Sequence, residues 1–492
     1  MNVTLSAQNV PLSPSIQTVL DGICANDIAM FFKKIEGSQF NPSKEDFVSV
    51  VHEILSVMTI RPKSELVLAN FLSQLVVTNV IFRNDPELKS VLLEIIFQTH
   101  FPDRKEFWKV LIRCHLLKAC IRRATFSIFD LLPHFEAFNF GEYPNQFFLF
   151  LLFTAEEFMN LDPYMYQRLL LSIEKGRLVS SLTKLYENFG KLVENSFSTL
   201  RDYVNYGCVS STVEFALKFD DLDMFMSFCS DPSFKINGEI TQSPFEVCRL
   251  PTSRPSHIQF AASFGSIRTF KYLIMNNSKS DQLPRFAVIG GELDIVRILE
   301  HNGEKIEGCL KVAVEWRRES VLRWILESHL FVLNELDEAL MSSAITGHIE
   351  SFKILVDAGA DPNVEYETKG LLHIAAENQQ IEFFRFLMEL NTYDINKRTK
   401  YGLTPLHFAA KAGCFAIVSQ LISNPKIEIN PKDDLNETPL HKAAQVGSYQ
   451  VVEVLLRNHS LEIQCSDNYG RTPISITKSE TIKSLIMSAL TK

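Results

Sequence analysis

The chain of 492 residues predicts an all-α fold, a solenoid of helix-turn-helix units preceded by an all-helical N-terminal domain. Three observations carry that expectation. A Thr-Pro-Leu-His-x-Ala-Ala block at Thr404 to Ala410 returns at Thr438 to Ala444, 34 residues on. Weaker copies of its helix and closing turn can be followed upstream. The first 205 residues read as successive amphipathic helices rich in Phe and Leu. Composition agrees, since 46% hydrophobic and 22% charged residues with only 19 Gly and 20 Pro describe an ordered, helix-rich chain. A repeat array also lets a chain this long avoid one oversized core, because each unit packs only on its neighbours.

Taken from the N-terminus, residues 1–205 show helical periodicity at Asp46–Leu55, Ser64–Val80, Leu88–Thr99, Lys105–Leu117 and Tyr164–Glu174. Pro102, Pro133, Pro144 and Pro163 mark the expected breaks. The pattern fits either a degenerate array of helical pairs or a separate bundle.

Residues 206–345 read as short repeat units. Aligned on the inter-helix turn, they run Val213–Asp220, Ile258–Gly265, Phe286–Gly291 and Cys309–Arg317, and Met341 to Gly347 opens the longer units. The turn-to-turn spacing is 26 from Gly265 to Gly291 and 26 again to Arg317, then 30 to Gly347, 32 to Gln379 and 34 for each of the last two steps. Two helices and a turn use most of 26 residues, so the growth must lie in the connection between units. Pro232, Pro244, Pro251 and Pro255 make 231–255 an inserted loop, equally readable as a binding element or a tolerated surface insertion.

Residues 346–492 carry full-length units. Thr404 and Thr438 are expected N-caps, their hydroxyls accepting from a backbone N–H one turn on, with Pro405 and Pro439 at the first helical position. The paired alanines keep one face thin enough for a neighbour to approach. Gly413 and Gly447 close the helix in the left-handed conformation. Gly470 to Ile474 starts a truncated unit that ends in a capping helix around Ile482 to Leu490.

These blocks, with the Gly359-Ala360-Asp361-Pro362-Asn363 tail, resemble the ankyrin repeat, and the short units resemble a domain of unknown function in large ankyrin families of parasitic protists. The resemblance covers residues 206–492 and implies a β-turn finger followed by two antiparallel helices in each unit. It also implies a protein-binding role through the residues lining the concave face. Carried over by position, these are Tyr366, Glu367, Lys369, Glu377 and Asn378 in one unit, and Lys400, Tyr401, Leu403, Lys411 and Ala412 in the next. Asp434, Leu435, Glu437, Gln445 and Val446 follow, then Asn468, Tyr469 and Arg471. Trp316 and Phe264 fall at the equivalent positions of the short units and would mark an aromatic patch where exposed, unless they pack beneath the next unit.

Catalytic chemistry finds little support. His373, His407 and His441 recur at 34 residues, which puts them in a row about 10 Å apart, too far for one metal sphere with bonds near 2 Å. A structural role beside the Thr cap and between units is expected instead. Gly290-Gly291 lacks the following Lys-Ser/Thr of a phosphate loop, and no Gly-x-Ser-x-Gly or His-Glu-x-x-His appears. No catalytic residue, metal or cofactor is therefore assigned. A net charge of −9 without a basic run disfavours nucleic acid. The start lacks a signal peptide, and the apolar run Phe147–Phe153 is too short to span a bilayer. Nine scattered cysteines read as reduced buried thiols. The expectation is a monomeric, cytoplasmic or nuclear, non-enzymatic adaptor that binds another protein. The alternative is a regulatory or substrate-receptor subunit of a ubiquitin ligase, kinase or phosphatase complex docking through the N-terminal helices.

Overall fold

The computed structural model describes residue 51 and residues 92–490 except 94, 98–106, 123–125, 138–143, 174–177, 179, 244, 245, 247–249, 253 and 329. The expected helices at Asp46–Leu55 and Ser64–Val80 lie outside the described residues apart from Val51. The chain divides into two compact units, Met1–Glu304 and Lys305–Lys492.

The first unit is built around one helix. After α1 (Phe107–Arg122) and α2 (Ile128–Ala137) comes α3 (Pro144–Leu161), which packs on α1, α2 and α4 (Pro163–Leu171). Phe147, Phe148, Phe150, Phe153 and Phe158 of α3 are all buried. A helix that is apolar on every side belongs inside a core, and this is where the Phe147–Phe153 run is used. The hydroxyl of Tyr166 on α4 donates to the Leu151 carbonyl at 3.1 Å. Asp162 caps α4 by accepting from the Met165 N–H at 2.9 Å, with Pro163 at the first helical position. Pro133 corrects the expectation of a break, because it sits inside α2. One missing N–H removes a single ladder bond, and the side beside exposed Phe129 tolerates that loss. α5 (Ser180–Glu187) and α6 (Phe189–Tyr206) complete the bundle, and Gly207 (φ 74°) closes α6.

Three helical pairs follow in the same unit: α7 (Val213–Lys218) with α8 (Leu222–Cys229), α9 (His257–Ser263) with α10 (Ile267–Met275), and α11 (Leu283–Gly290) with α12 (Leu293–His301). The first helices stack in the order α7, α9, α11, and the second in the order α8, α10, α12. Gly290, the last residue of α11, has a role apart from the turn that follows it. A Cβ there would lie 2.1 Å from the Ala262 carbonyl oxygen, so only glycine lets α11 approach α9 this closely. The turn itself is made by Gly291 (φ 78°).

The second unit contains α13 (Cys309–Glu315) with α14 (Glu319–Glu327), α15 (Leu333–Thr346) with α16 (Ile349–Asp357), and α17 (Leu371–Glu377) with α18 (Ile381–Glu389). It continues with α19 (Pro405–Ala412) and α20 (Phe415–Ser423), α21 (Pro439–Val446) and α22 (Tyr449–Leu456), and the short α23 (Pro473–Ile476) with the closing α24 (Glu480–Leu490). The first helix of each pair packs on the first helix of the next from α13 through α23. Ala375, Ala376, Ala409, Ala410, Ala443 and Ala444 form the thin seam between them and are fully buried. Each repeat therefore shares a core with its neighbours, as a solenoid requires.

The turn register read from the sequence holds in the backbone. φ is positive at Asp220 (57°), Gly265 (63°), Gly291 (78°), Arg317 (50°), Gly347 (74°), Gln379 (58°), Gly413 (71°) and Gly447 (83°). The left-handed turn is thus kept even at the three places where glycine is absent, at a cost of roughly 1 kcal/mol each. Among the described residues the cysteines are free thiols, and Cys114, Cys120, Cys208, Cys309 and Cys414 are buried. No described helix is long and apolar enough to cross a membrane.

Candidate protein-binding surface

The connections between pairs grow into fingers that share one turn. In the finger before α19, the Thr399 hydroxyl accepts from the N–H groups of Tyr401 (3.4 Å) and Leu403 (3.2 Å). One repeat later Asp433 takes the same place, its Oδ1 accepting from Leu435 (3.0 Å) and Glu437 (2.8 Å). Asp467 repeats it with Tyr469 (2.9 Å) and Arg471 (2.8 Å). The tips turn through positive φ at Gly402 (74°), Asn436 (57°) and Gly470 (72°). The finger before α17 differs. Tyr366 and Lys369 exchange both backbone hydrogen bonds around Glu367 (φ 50°) and Thr368 (φ 69°), a two-residue hairpin turn.

Neighbouring fingers are joined to one another. The Lys400 N–H donates to the Thr368 hydroxyl (2.7 Å), Asp434 N–H to the Tyr401 carbonyl (3.1 Å), and Asn468 N–H to the Leu435 carbonyl (2.9 Å). A second row runs through Asn396 and Asn430. The side-chain amide of Asn396 donates to the Lys426 carbonyl and its Oδ1 accepts from Glu428 N–H, and Asn430 does the same with Ser460 and Glu462. Every finger is therefore fixed relative to the next.

The histidines supply the third connection. Nδ1 of His407 accepts from the backbone N–H of Thr404 (3.1 Å) and faces the Thr404 hydroxyl at 3.0 Å, and Nε2 donates to the Glu437 carbonyl at 3.0 Å. His441 repeats this with Thr438 and the Arg471 carbonyl. His373 bonds Gly370 N–H and the Lys397 carbonyl. The imidazole completes a reciprocal capping box with the expected Thr cap, its Nδ1 accepting from the cap residue's own N–H. Burial holds the His407 imidazole neutral, with its pKa pushed down to about 4. The same cause lowers His373 and His441.

Most of the residues assigned from the sequence reach the surface of this array. Tyr401 (57% exposed), Leu435 (43%) and Tyr469 (69%) stand at the same position of three successive fingers. Tyr366 is also exposed, one position earlier in its own hairpin. Lys400, Lys411, Glu367, Glu377, Asn378, Asp434, Gln445, Val446, Asn468 and Arg471 are exposed, whereas Leu403, Lys369 and Ala412 are half-buried. Lys400 lies over the Tyr401 ring at 4.9 Å, and the Arg471 guanidinium lies over the Tyr469 ring at 4.9 Å. Lys369 is tied to Glu377 at 2.7 Å.

One assignment changes, and the alternative left open for two aromatics is decided for Phe264. Glu437 is buried rather than presented, because Lys442 and Arg471 both pair with its carboxylate. Phe264 is buried against Phe260, with ring centroids 4.5 Å apart, so it is core. Trp316 is half-buried at the end of α13. Lys442 was not legible in advance. It stands where the previous repeat has Phe408, and its Nζ meets Asp433 Oδ2 at 2.7 Å as well as Glu437. Burial works against its charge, but the two carboxylates outweigh it and raise its pKa. Arg471 extends the network to Asp467 at 2.7 Å.

No group of His, Cys, Asp and Glu among the described residues is placed to hold a metal ion. What the surface offers is a rigid row of aromatic and apolar tips edged with charges of both signs, the chemistry of protein recognition. Residues 340–433 and 372–468 match a family model of ankyrin repeats in three copies. The chain is 40% identical over 68 residues to alpha-latroinsectotoxin-Lt1a of Latrodectus tredecimguttatus, covering 14% of this chain and 5% of that protein. It is 36% identical over 83 residues to alpha-latrocrustotoxin-Lt1a of the same species, covering 17% of this chain and 6% of the relative. The likeness thus spans only a small part of those relatives' length. The chain carries ankyrin repeats across residues 340–468, in an all-α solenoid suited to binding protein.

Proposed function

We propose that the chain is a non-enzymatic adaptor that binds another protein through the finger and inner-helix face of residues 366–471. The observation that supports this most is the row Tyr401, Leu435 and Tyr469, exposed on fingers that are hydrogen-bonded to one another. Large side chains held in place before binding lose little conformational entropy when a partner arrives, and Tyr combines contact area with a hydrogen-bonding group. The neighbouring Lys400, Lys411, Glu367 and Asp434 add charges that select a partner by complementarity. The test is affinity capture from the native cell with the full chain and with a Lys400→Ala, Tyr401→Ala, Tyr469→Ala variant. The adaptor reading requires that the triple variant lose partners while its melting temperature stays close to the parent's.

A second reading has its own observation. On the first unit Tyr164 (89% exposed) and Leu171 (75%) lie two turns apart on α4, opposite the face that buries Tyr166, Leu169 and Leu170, and exposed Leu161 (47%) ends the preceding helix α3. This stripe favours docking of the N-terminal helices into an enzyme complex as a regulatory or substrate-receptor subunit. Retention of a catalytic complex by the full chain and its loss with Tyr164→Asp would support that reading.

A further inference from the structure

The joint between the fingers before α17 and α19 departs from the two joints that follow it, and the departure leaves a matched pair of backbone groups open. At the later joints an asparagine side chain holds the next finger at two points. Asn396 Nδ2 donates to the Lys426 carbonyl at 2.8 Å, and its Oδ1 accepts from the Glu428 N–H at 2.9 Å. Asn430 bonds the Ser460 carbonyl and the Glu462 N–H in the same way, at 2.7 Å and 2.8 Å. Lys426 and Glu428 precede Asn430 by four and two residues. Asn363 is the corresponding residue one unit earlier, since its N–H closes on Asp361 Oδ1 at 2.9 Å as the Asn396 N–H closes on Asp394 Oδ1 at 2.9 Å. Counted back from Asn396, its partners would be the Thr392 carbonyl and the Asp394 N–H.

Asn363 does not make these bonds. Among the described residues, none hydrogen-bonds to the Thr392 carbonyl, the Asp394 N–H or the Asn363 side-chain amide. Two residues account for the change. Leu390 stands where Asn424 turns the later loop by accepting from the Lys426 N–H at 3.0 Å, and the Tyr393 hydroxyl reaches back to the Pro362 carbonyl at 3.1 Å. The tyrosine thus links loop to finger, and Asn363 is left exposed. A cavity of about 200 Å³ lies between the parted groups, lined by Asn363, Thr392, Tyr393 and Asp394 together with Gly370, where the next two units have threonine.

The other polar groups around the cavity are already engaged. His373 bonds the Gly370 N–H and the Lys397 carbonyl, Lys397 pairs with Glu365, and Asp394 Oδ1 holds Asn396. One backbone acceptor and one backbone donor remain, at the sequence spacing that grips an amide twice elsewhere in this chain. A primary carboxamide presents N–H and C=O on the same side and satisfies both. A trans backbone amide presents them on opposite sides and satisfies only one. A carboxylate would set a second acceptor against the Thr392 carbonyl.

We propose that this cavity is a carboxamide seat: an Asn or Gln side chain of a bound protein donates to the Thr392 carbonyl and accepts from the Asp394 N–H, completing in trans the row that Asn396 and Asn430 complete within the chain. The source of the carboxamide rests on the protein-binding reading, to which the seat adds a preferred residue type beside the exposed finger row. Water is the competitor for both groups, so a single amide binds weakly and acts by selecting one residue within a larger interface.

The test follows backbone N–H resonances of the isotope-labelled full chain while propanamide, an analogue of the side chain, is added. The Asp394 N–H should shift saturably with a midpoint on the order of 0.1 M, as expected of so small a ligand. The Glu428 N–H should stay still in the same spectra, because Asn396 already holds it. N-methylpropanamide and propanoate should act several-fold more weakly on Asp394. In Asn396→Ala, with unchanged resonances for residues 439–446 showing a folded array, the Glu428 N–H should gain the response to propanamide. The proposal is overturned if Asp394 does not respond, if it responds equally to the N-methyl amide or to propanoate, or if Glu428 stays silent in the folded variant. It is also overturned if the Asp394 N–H of the free chain is as protected from hydrogen exchange as that of Glu428, since Asn363 would then take the seat itself. None of these outcomes decides whether partners bind at Tyr401 and Tyr469, which the capture experiment tests separately.

Discussion

Nε2 of His407 donates to the carbonyl of Glu437 across a repeat boundary at 3.0 Å, while Nδ1 of the same ring accepts from Thr404 at the start of its own helix. The ring works only as the neutral tautomer that carries its proton on Nε2, because Nδ1 must stay an acceptor. Protonation would turn that acceptor into a donor aimed at a donor.

The first prediction follows from this relationship. The folded-state pKa of His407 is near 4, below the ordinary histidine value of 6.5, so the unfolded chain binds more protons between those limits. The stability contributed is fully present above pH 6.5 and is lost as pH falls towards 4, by roughly 3 kcal/mol for this residue. Urea unfolding followed at several pH values should show the decline. His407→Ala should be about 2 to 4 kcal/mol less stable at pH 7 and show a shallower acid slope.

Gly370 occupies the position that Thr404 and Thr438 fill in the next two repeats. Its φ of −84° and ψ of 176° suit threonine, and a Cβ there would meet nothing closer than 3.9 Å. Gly370→Thr should therefore rebuild the Thr–His contact and raise stability by about 1 kcal/mol, read as a higher urea midpoint with unchanged slope.

The non-glycine turn residues are expected to behave in opposite ways. Gln379 is exposed with φ 58°, and Gln379→Gly should stabilise by roughly 0.5 to 1 kcal/mol by removing the left-handed cost. Asp220 has φ 57° but its carboxylate also accepts from the N–H groups of Arg268 (3.0 Å) and Thr269 (2.8 Å), capping α10. Asp220→Gly should be destabilising by about 1 kcal/mol, because the cap outweighs the strain. Thermal unfolding of the two variants would show opposite signs.

Lys442 is the electrostatic centre of the last fingers, and Lys442→Met leaves Asp433 and Glu437 without their shared cation. A loss of about 3 kcal/mol is expected, with increased hydrogen exchange at residues 433–437. Lys442→Arg keeps the charge and should recover part of it.

How far the sequence foretold these arrangements depended on how local the signal was. The turn register was legible down to Asp220, Arg317 and Gln379 because each repeat imposes the same backbone conformation whatever the side chain. The exposed row at Tyr401, Leu435 and Tyr469 followed from the 34-residue period. Glu437 was misplaced because its burial depends on Lys442, on helix α21, and on Arg471, which the next finger brings to it from 34 residues away. The buried ion pair of Lys218 and Glu246 was hidden for the same reason, with 28 residues and an inserted segment separating its partners. Pro133 was read as a break because a local rule was applied without the solvent exposure that lets a helix absorb it.

The central claim is that partners bind the finger face. A photo-crosslinking residue placed singly at Tyr401, Tyr469 and, at the C-terminal cap of the outer helix α22, Arg457 tests it most directly in the otherwise intact chain. The account predicts partner adducts from positions 401 and 469 and none from 457. Adducts from position 457, with none from the two finger tips, would contradict it.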